Sequence, residues 1–569
     1  MLESLLPVMT WGRQYNVGLF RSDVVAGLVV LFITVPQVIA YAFLAGMPAE
    51  AGLYAAMFSL IGYALFGSSK ALAVGPTAIV GMMTLEAASV YAAPGSAEYS
   101  RTVVELCVVT GLVLVVLRIV NFGSVISFLS HAVVTGFISA AAILIISNQF
   151  PAILGLPSSK DTSIVGVYTY LFSEAGSANS YVLWVSAAAI MLLILCRTRL
   201  GGLLQLAGLS ASIADSLVKS APMYAVIFGV LVVRLLNLEE AGVPVVGDIP
   251  AALPEVSVAL VSFEAIRNLL PSAFLIAMVV FMESTSIGTA IASKSRDKIN
   301  ANQELTGLGA ANLGSSLVGG FPVAGSFARS VVNFSSGAVS PMASMVTAFF
   351  IMVTILMFAP AFHALPKGVL SAIIVTSAWQ LIDFQAIRKI FSFNIADGVT
   401  FSCTFLAVLG FGVETGVLTG IAISFVLLIR SSSKPHIAVV GRVGGSEHFR
   451  NVERYDVSTS PKVLALRVDE SIYFVNTRYI ENFILGQLAD SREIEHVLLI
   501  CTATNFIDIS GLEMLEELSE NLREAGVTLH LAEVKGPVMD KLKETGFYRN
   551  MKGQVFFTTN IAMRELAGI

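Results

Sequence analysis

Charge is what this sequence has least of. Asp, Glu, Lys and Arg together make up 13% of 569 residues, against roughly a quarter in an average soluble chain. That scarcity excludes a soluble protein as a description of the whole. It is also unevenly spread, being concentrated before about residue 434, after which the chain is polar and periodic like an ordinary soluble domain. A basic excess is missing too. The formal net charge is −5, which argues against a nucleic-acid binder. Cysteine is sparse, and Cys107, Cys196, Cys403 and Cys501 lie in apolar runs without CxxC or metal spacing, so they read as packing residues. No phosphate-binding P-loop occurs, which disfavours ATP-driven transport. The first twenty residues lack an apolar run with a cleavage site, so no removable signal peptide is expected.

What the sequence does have is apolar length. Runs able to cross a bilayer, at about 20 residues each, centre near residues 34, 58, 80, 110, 138, 187, 228, 279, 312, 331, 350, 372, 403 and 422. The third, ninth, tenth and twelfth are weak or interrupted. With a cytoplasmic N-terminus, Arg13, Arg21, Lys70, Arg118, Arg197, Arg199, Lys219, Lys294, Arg296, Lys298, Arg388, Lys389, Arg430 and Lys434 fall on one side. The other side receives only Arg101, Lys160, Arg234, Arg267 and Lys367. This bias fits the positive-inside rule and places both termini in the cytoplasm of a plasma or bacterial inner membrane. Fourteen spans split as seven plus seven, an odd number per half, so the second repeat (roughly 260–430) must be inverted relative to the first (roughly 15–240).

The split pairs the third span with the tenth, and these are the two that carry Gly/Pro breakers: Val74-Gly-Pro-Thr-Ala-Ile-Val-Gly81 and Gly320-Phe-Pro-Val-Ala-Gly-Ser326. Interrupted segments in corresponding positions of two halves point to the substrate site of a secondary transporter. Each proline is expected in the first turn of a half-helix, leaving two positive helix ends facing one another, which suits an anion. Arg329 follows the second breaker. A charge at bilayer depth costs about 2.5–3.5 kcal/mol on insertion scales, so such residues mark a path; the bland reading is that Arg329 merely pairs with an acid such as Glu283. Glu283 itself sits in an otherwise apolar run and is the candidate proton acceptor, its rival role being a permanently neutral carboxyl. Gln37 and Tyr41, one turn apart beyond Pro36, could offer polar edges to an oxyanion or simply pack a kink. Thr77 could add a hydroxyl or serve only its own helix end. Glu86 and Glu105 also lie near span interiors, Glu86 nearer the interface and less compelling.

The stretches Asp23-Val-Val-Ala-Gly-Leu, Pro36-Gln-Val-Ile-Ala-Tyr-Ala, Gly52-Leu-Tyr, Val74-Gly-Pro-Thr-Ala, Asn302-Gln-Glu-Leu and Gly325-Ser-Phe-Ala-Arg-Ser resemble, in order and spacing, the sulfate permease (SulP) family of anion transporters. The resemblance implies an α-helical polytopic membrane protein of 14 transmembrane segments in a 7+7 inverted repeat. A core domain would move against a gate domain as an elevator, within a homodimer. It implies that Gln37, Tyr41, Thr77, Ala78, Ser326, Phe327, Ala328 and Arg329 line the anion site, with Glu283 coupling transport to a cation, H+ by preference or Na+. The run Phe281-Met-Glu-Ser-Thr-Ser leans toward the sulfate branch; family members also carry chloride, bicarbonate, oxalate and dicarboxylates. No cofactor and no metal are expected.

Residues 1–434 thus read as the transport domain and 435–569 as a cytoplasmic α/β domain. In the latter, Val463–Val468, Val497–Cys501 and Val527–Ala532 read as buried strands, and 512–525 and 538–545 as helices. Asn505-Phe-Ile-Asp-Ile-Ser-Gly-Leu512 and Leu531-Ala-Glu-Val-Lys-Gly-Pro-Val538 resemble a STAS domain. The resemblance makes Ser510 a possible regulatory phosphorylation site. Against that, Ser510 and Glu513 have capping-box spacing. A cytoplasmic regulatory partner or a dimer contact suits this domain. The expectation is therefore a secondary transporter of inorganic anions, sulfate first, and not an enzyme. Its rivals are an uncoupled channel-like conductor and a membrane-anchored regulator; an anchor, however, needs neither Arg329 nor paired breakers. A nucleobase symporter is disfavoured by Arg329 and the C-terminal domain.

Overall fold

In the computed structural model the described residues are 6–568, less 124–129, 158, 160 and 162; the side chains of Gln14 and Ser212 also lie outside the description. Lys160, counted above on the sparse side of the membrane, thus falls outside the described residues. The chain divides into two compact units, Met1–Ile421 and Ala422–Ile569.

Fourteen helical segments occupy the positions of the fourteen apolar runs. They are α1 (Val17–Leu44), α2 (Ala49–Phe66), α3 (Ala78–Ser89), α4 (Ala97–Ile119), α5 (His131–Ile153), α6 (Ser180–Leu206) and α7 (Ala221–Leu235), then α8 (Phe263–Ser295), α9 (Ala301–Ser316), α10 (Phe327–Ser335), α11 (Met342–Phe358), α12 (Lys367–Trp379), α13 (Ile395–Phe411) and α14 (Val413–Ser433). Among the described residues nine helices are long and apolar enough to cross a membrane, ten when the bent pair that ends in α7 is taken as one. The exceptions, α3, α9, α10 and α13, are short or polar. At 12 and 9 residues, α3 and α10 span only about 18 and 14 Å at 1.5 Å per residue, well short of a hydrocarbon core of about 30 Å.

Two groups of helices follow from the packing. The core group is α1–α4 with α8–α11: α9 lies against α2 and α4, α8 against α4, and α11 against α1 and α2. The gate group joins α5–α7 to α12–α14, with α12 against α5 and α6, and α13 against α5. Lipid gives helices little hydrophobic reason to associate, so close backbone approach matters. A Cβ added at Gly307 of α9 would lie 2.6 Å from the Cα of Gly67 at the end of α2. Two buried carboxylates pin the core group. Asp23 accepts from Val339 N (2.9 Å), Ser340 Oγ (2.6 Å) and Tyr15 OH (2.9 Å), tying α1 to the start of α11. Glu304 of α9 accepts from Tyr63 OH (2.7 Å) and Ser68 N (3.0 Å).

Ahead of α3 and α10 run two short strands, β1 (Val74–Gly75) and β2 (Ala324–Gly325), paired antiparallel with Val74 opposite Gly325 and Gly75 opposite Ala324. An antiparallel crossing of equivalent segments is what an inverted repeat produces at its axis. Irregular backbone at this depth must be satisfied from within the protein. Asn312 does so from α9, its amide exchanging bonds with Val323 N (3.0 Å) and Val323 O (3.1 Å).

The C-terminal unit is a six-stranded sheet, order β4-β3-β5-β6-β7-β8, formed by β3 (Ile437–Arg442), β4 (Phe449–Asn451), β5 (Val463–Val468), β6 (His496–Ile500), β7 (Thr528–Ala532) and β8 (Val555–Phe556). Strands β5 to β8 run parallel, while β3 is antiparallel to both its neighbours. One face buries Leu464, Leu466, Val497, Leu499, Leu529 and Leu531 under α15 (Thr477–Asp490), α16 (Ile509–Glu524) and α17 (Gly536–Lys543). The other face is covered by α19 (Thr559–Ala567), α18 (Gly546–Asn550) lying between α17 and β8 in sequence. The expected helix over 512–525 begins earlier, and the expected capping box does not form. Asp508 is the N-cap, accepting from Gly511 N at 2.8 Å, which puts Ser510 inside the first turn. Cys501 is buried on this sheet, and burial pushes its thiol up to about 12.

Candidate functional site

The β1–β2 crossing turns each chain into the N-terminus of a half-helix. Proline does not stand where it was expected. Pro76 precedes the N-cap residue Thr77, and Pro322 lies before β2, four residues ahead of the N-cap Ser326. Both prolines shape the extended approach to the helix rather than its first turn, because β1 and β2 need extended backbone just there. The consequence for the site is larger than the displacement. Thr and Ser are favoured N-caps because their hydroxyl accepts from the second or third amide of the helix. Neither Thr77 nor Ser326 does so. The first-turn amides of α3 and α10 therefore keep their partial positive charge for something else.

Arg329 sits in the first turn of α10 and is buried to 1% exposure. Its Nη2 donates to Pro76 O at 2.7 Å, so the guanidinium of the second repeat closes onto the carbonyl that ends the first repeat's strand. A Cβ at Gly75 would lie 3.0 Å from Nη1; a residue with a side chain there would displace the guanidinium. Around it α10 grips the chain leading into β1: Ser326 N donates to Ala73 O (3.0 Å), Ala73 N to Ser330 Oγ (2.9 Å) and Asn333 Nδ2 to Ala71 O (3.1 Å). On the other flank Gly325 N donates to Ser284 Oγ of α8 at 2.8 Å, which fixes the neighbouring Glu283 beside the crossing.

The rival reading, in which Arg329 merely pairs with Glu283, is not what the structure shows. The guanidinium engages Pro76 O instead, and Glu283 Oε2 is buried without a partner. Both Tyr41 and Glu283 lie within electrostatic reach of the guanidinium. Further orphans accompany them: Gln37 Oε1, Thr77 Oγ1 and Arg329 Nε are all buried and unpartnered. Buried polar groups are almost always bonded, so each exception calls for an explanation. Here the exceptions come from α1, the N-cap of α3, α8 and α10, which are the elements that meet at the crossing.

Of the other expected site residues, Gln37, Tyr41, Thr77, Ala78 and Ser326 are buried, while Phe327 and Ala328 are exposed, on the open side of the first turn of α10. Glu105 is removed from consideration, since it pairs with Arg101 Nε at 3.0 Å. Sequence reasoning missed Ser330, Asn312 and Asn333, which together with Ser284 hold the crossing together. Polar residues in weak spans were the available signal.

Comparison with known proteins gives one answer. The sulfate permease family matches residues 20–404, and the STAS domain matches residues 454–561. The chain is 31% identical over 564 residues to sulfate transporter 1.3 of Arabidopsis thaliana, covering 96% of this chain and 84% of that one. It is 30% identical over 569 residues to the probable sulfate transporter 4.2 of the same plant, covering 98% and 82%. In fold it is similar to the murine Solute Carrier 26 family member A9 anion transporter in the inward-facing state, with a TM-score of 0.89 and 21% identity over 100% of this chain and 95% of that one. The transmembrane domain of a cyanobacterium bicarbonate transporter, BicA, aligns at a TM-score of 0.61 and 19% identity, over 72% and 98%. With the family model matched over more than half of the chain and sulfate transporters about 30% identical along nearly all of it, the chain belongs to the sulfate permease family of membrane anion transporters.

Proposed function

We propose that the protein is a secondary active transporter of a tetrahedral inorganic oxyanion, sulfate first, working by elevator-type alternating access with proton symport through Glu283. The observation that carries this reading is the set of buried orphans at the crossing, Gln37 Oε1, Thr77 Oγ1, Glu283 Oε2 and Arg329 Nε. A guanidinium N–H and a hydroxyl can donate to an anion, as can the uncapped first-turn amides of α3 and α10; a protonated Glu283 can do the same. Ala78 and Ala328 present those amides, Ser326 offers its hydroxyl, Tyr41 and Phe327 shape the walls, and Gln37 turns its amide N–H toward a bound oxygen.

Energetics require a coupling group. Moving a divalent anion inward against 100 mV costs about 4.6 kcal/mol, twice the roughly 2.3 kcal/mol per charge. Import without cotransport or exchange runs the wrong way. Glu283 lies beside the guanidinium with Oε2 unpartnered, so a proton gained there offsets one of the two charges of the anion gained at Arg329. The rest of the cost falls on a second proton or on the gradients. We further propose a homodimer in a plasma or bacterial inner membrane with both termini cytoplasmic. The STAS domain would be the regulatory contact, with Ser510 as its candidate phosphate acceptor.

The test is uptake of labelled sulfate by reconstituted vesicles under an imposed proton gradient, with competition by bicarbonate, chloride and dicarboxylates. Acid-outside acceleration and dominance of unlabelled sulfate support the reading. Sodium dependence at fixed pH transfers the coupling to Na+. Uptake indifferent to every gradient makes the protein a conductor, and preferential competition by bicarbonate, chloride or a dicarboxylate replaces sulfate.

A further inference from the structure

Glu86 has no part in the anion site, yet it is placed where the two groups of helices meet. It lies near the far end of α3, the half-helix whose other end presents Thr77 and Ala78 at the crossing. Its Oε2 accepts from Val413 N, the first amide of α14, at 3.1 Å. α14 starts directly after Gly412, which has no side chain to cap it. Gly412 itself is constrained twice. Its φ is +89°, and a Cβ there would collide with Glu86 Oε1. Glu414, one residue further on, is close enough to repel the Glu86 charge and keeps its own Oε1 buried and unpartnered. A carboxylate from the core group thus serves as the N-cap of a gate helix, in a notch that only glycine leaves open.

From this we propose that Glu86 is a positioning residue for transport: it latches the outer end of the substrate-bearing half-helix α3 to the α13–α14 turn of the gate. An N-cap can be supplied by any acceptor, but normally by the residue just ahead of the helix. Supplying it across the seam makes the register of α14 depend on where α3 stands. When α3 moves with the bound anion, the latch must open, so its strength sets how easily the core leaves this conformation. The inference rests on the anion-carrier reading for its consequence, though not for the latch itself.

The experiment compares Glu86→Ala, Glu86→Asp and Glu86→Gln in the full-length protein by two readouts. Amide hydrogen exchange over residues 409–418 in detergent should accelerate roughly tenfold in the Ala variant, the size of one lost cap, and stay near wild type in Gln, which keeps an acceptor. Maximum sulfate uptake in vesicles should change several-fold in Ala and recover in Gln, with KM unaltered in both, because no anion contact is touched. Gly412→Ala, strained by its φ of +89° with or without Glu86, should accelerate exchange over the same residues at least as much as Glu86→Ala. Unchanged exchange in Glu86→Ala overturns the latch. Accelerated exchange with unchanged maximum rate overturns its role in transport, and a raised KM makes Glu86 part of the anion site instead. Should Glu86→Ala not fold, Glu86→Asp, one methylene shorter, gives the same comparison. Wild-type protein that carries no sulfate sinks the carrier reading alone, since the exchange arm needs no substrate.

Discussion

The two units treat buried polar groups by opposite rules. In the STAS domain they are bonded: Asn476 holds Ser471 O (2.8 Å) and Tyr473 N (3.1 Å), and Glu533 takes both Thr559 N (3.0 Å) and Thr559 Oγ1 (2.6 Å). Among the described residues, only Asn560 Oδ1 of this unit is buried without a partner. The membrane unit leaves a dozen residues with such atoms, and five of them, Gln37, Thr77, Glu283, Arg329 and Asn333, lie at the β1–β2 crossing. An unsatisfied buried group costs about 1–3 kcal/mol, and more where no water can reach. On the carrier reading proposed above, a fold that tolerates several in one place, while satisfying Asp23 and Glu304 so fully nearby, keeps them for a ligand. Polar satisfaction separates structural acids from working ones more sharply than burial does.

The strongest way to break this contrast is to remove its one permanent cation. Arg329→Ala should lower sulfate affinity by about 2–3 kcal/mol, roughly a hundredfold, given the worth of charge-assisted bonds. Chloride should lose less, having one charge and no second oxygen to share. Equal losses for both anions in binding assays would show that Arg329 acts only by holding Pro76 O. Next comes Glu283→Gln, which removes the ionisable group and keeps the shape. Binding should survive within about threefold, while uptake should cease to respond to a proton gradient. Persisting proton dependence would return Glu283 to the structural class of Asp23. Smaller again, Thr77→Val and Ser326→Ala each delete one hydroxyl that does not cap its own helix. A loss of about 1 kcal/mol, roughly fivefold in KM, is expected with unchanged thermal stability. A stability loss without a KM change would mean that the hydroxyls serve the helix after all.

How much of this was legible beforehand depended on which signals are local. The fourteen segments, the inverted halves and the two breakers are matters of run length, charge side and Gly/Pro spacing, and all are readable along the chain. The proline positions were misread because half-helix starts were inferred from the breakers themselves. That Val74-Gly75 pairs with Ala324-Gly325, and so forces extended backbone through Pro76, is a contact across some 250 residues. The same holds for Ser284, Asn312 and Ser330, whose partners are distant in sequence. Asp23 and Glu304 stand in stretches that carry the family resemblance, and only their hydrogen bonds reveal them as staples. In the STAS domain the buried strands β5, β6 and β7 read clearly from apolar runs. Strands β4 and β8 are three and two residues long, too short to show a period.

The last expected effect, felt only at acid pH and not by transport at neutral pH, lies within the STAS domain and tests its rule of full satisfaction. His530 on β7 is 5% exposed, accepts from Gln554 N at Nδ1 (3.0 Å) and reaches His496 Nδ1 through Nε2 at 3.2 Å. With Nδ1 accepting, the ring proton must sit on Nε2, so the bonds hold the neutral form. Burial, and then the neighbouring His496, push its pKa down to about 4 from 6.5. Between those values the unfolded chain binds a proton that the folded chain refuses, so stability falls as pH drops from about 6.5 toward 4 and is unaffected above that window. The loss is about 3 kcal/mol at its fullest, and a fraction of that at pH 5.5. Amide exchange over residues 528–532 in the intact protein should therefore quicken between pH 7 and pH 5 beyond the intrinsic trend, and His530→Leu should abolish that excess. An excess that survives in the leucine variant would move the acid sensitivity to another group, and the STAS domain would then hide an unsatisfied ionisable site of its own.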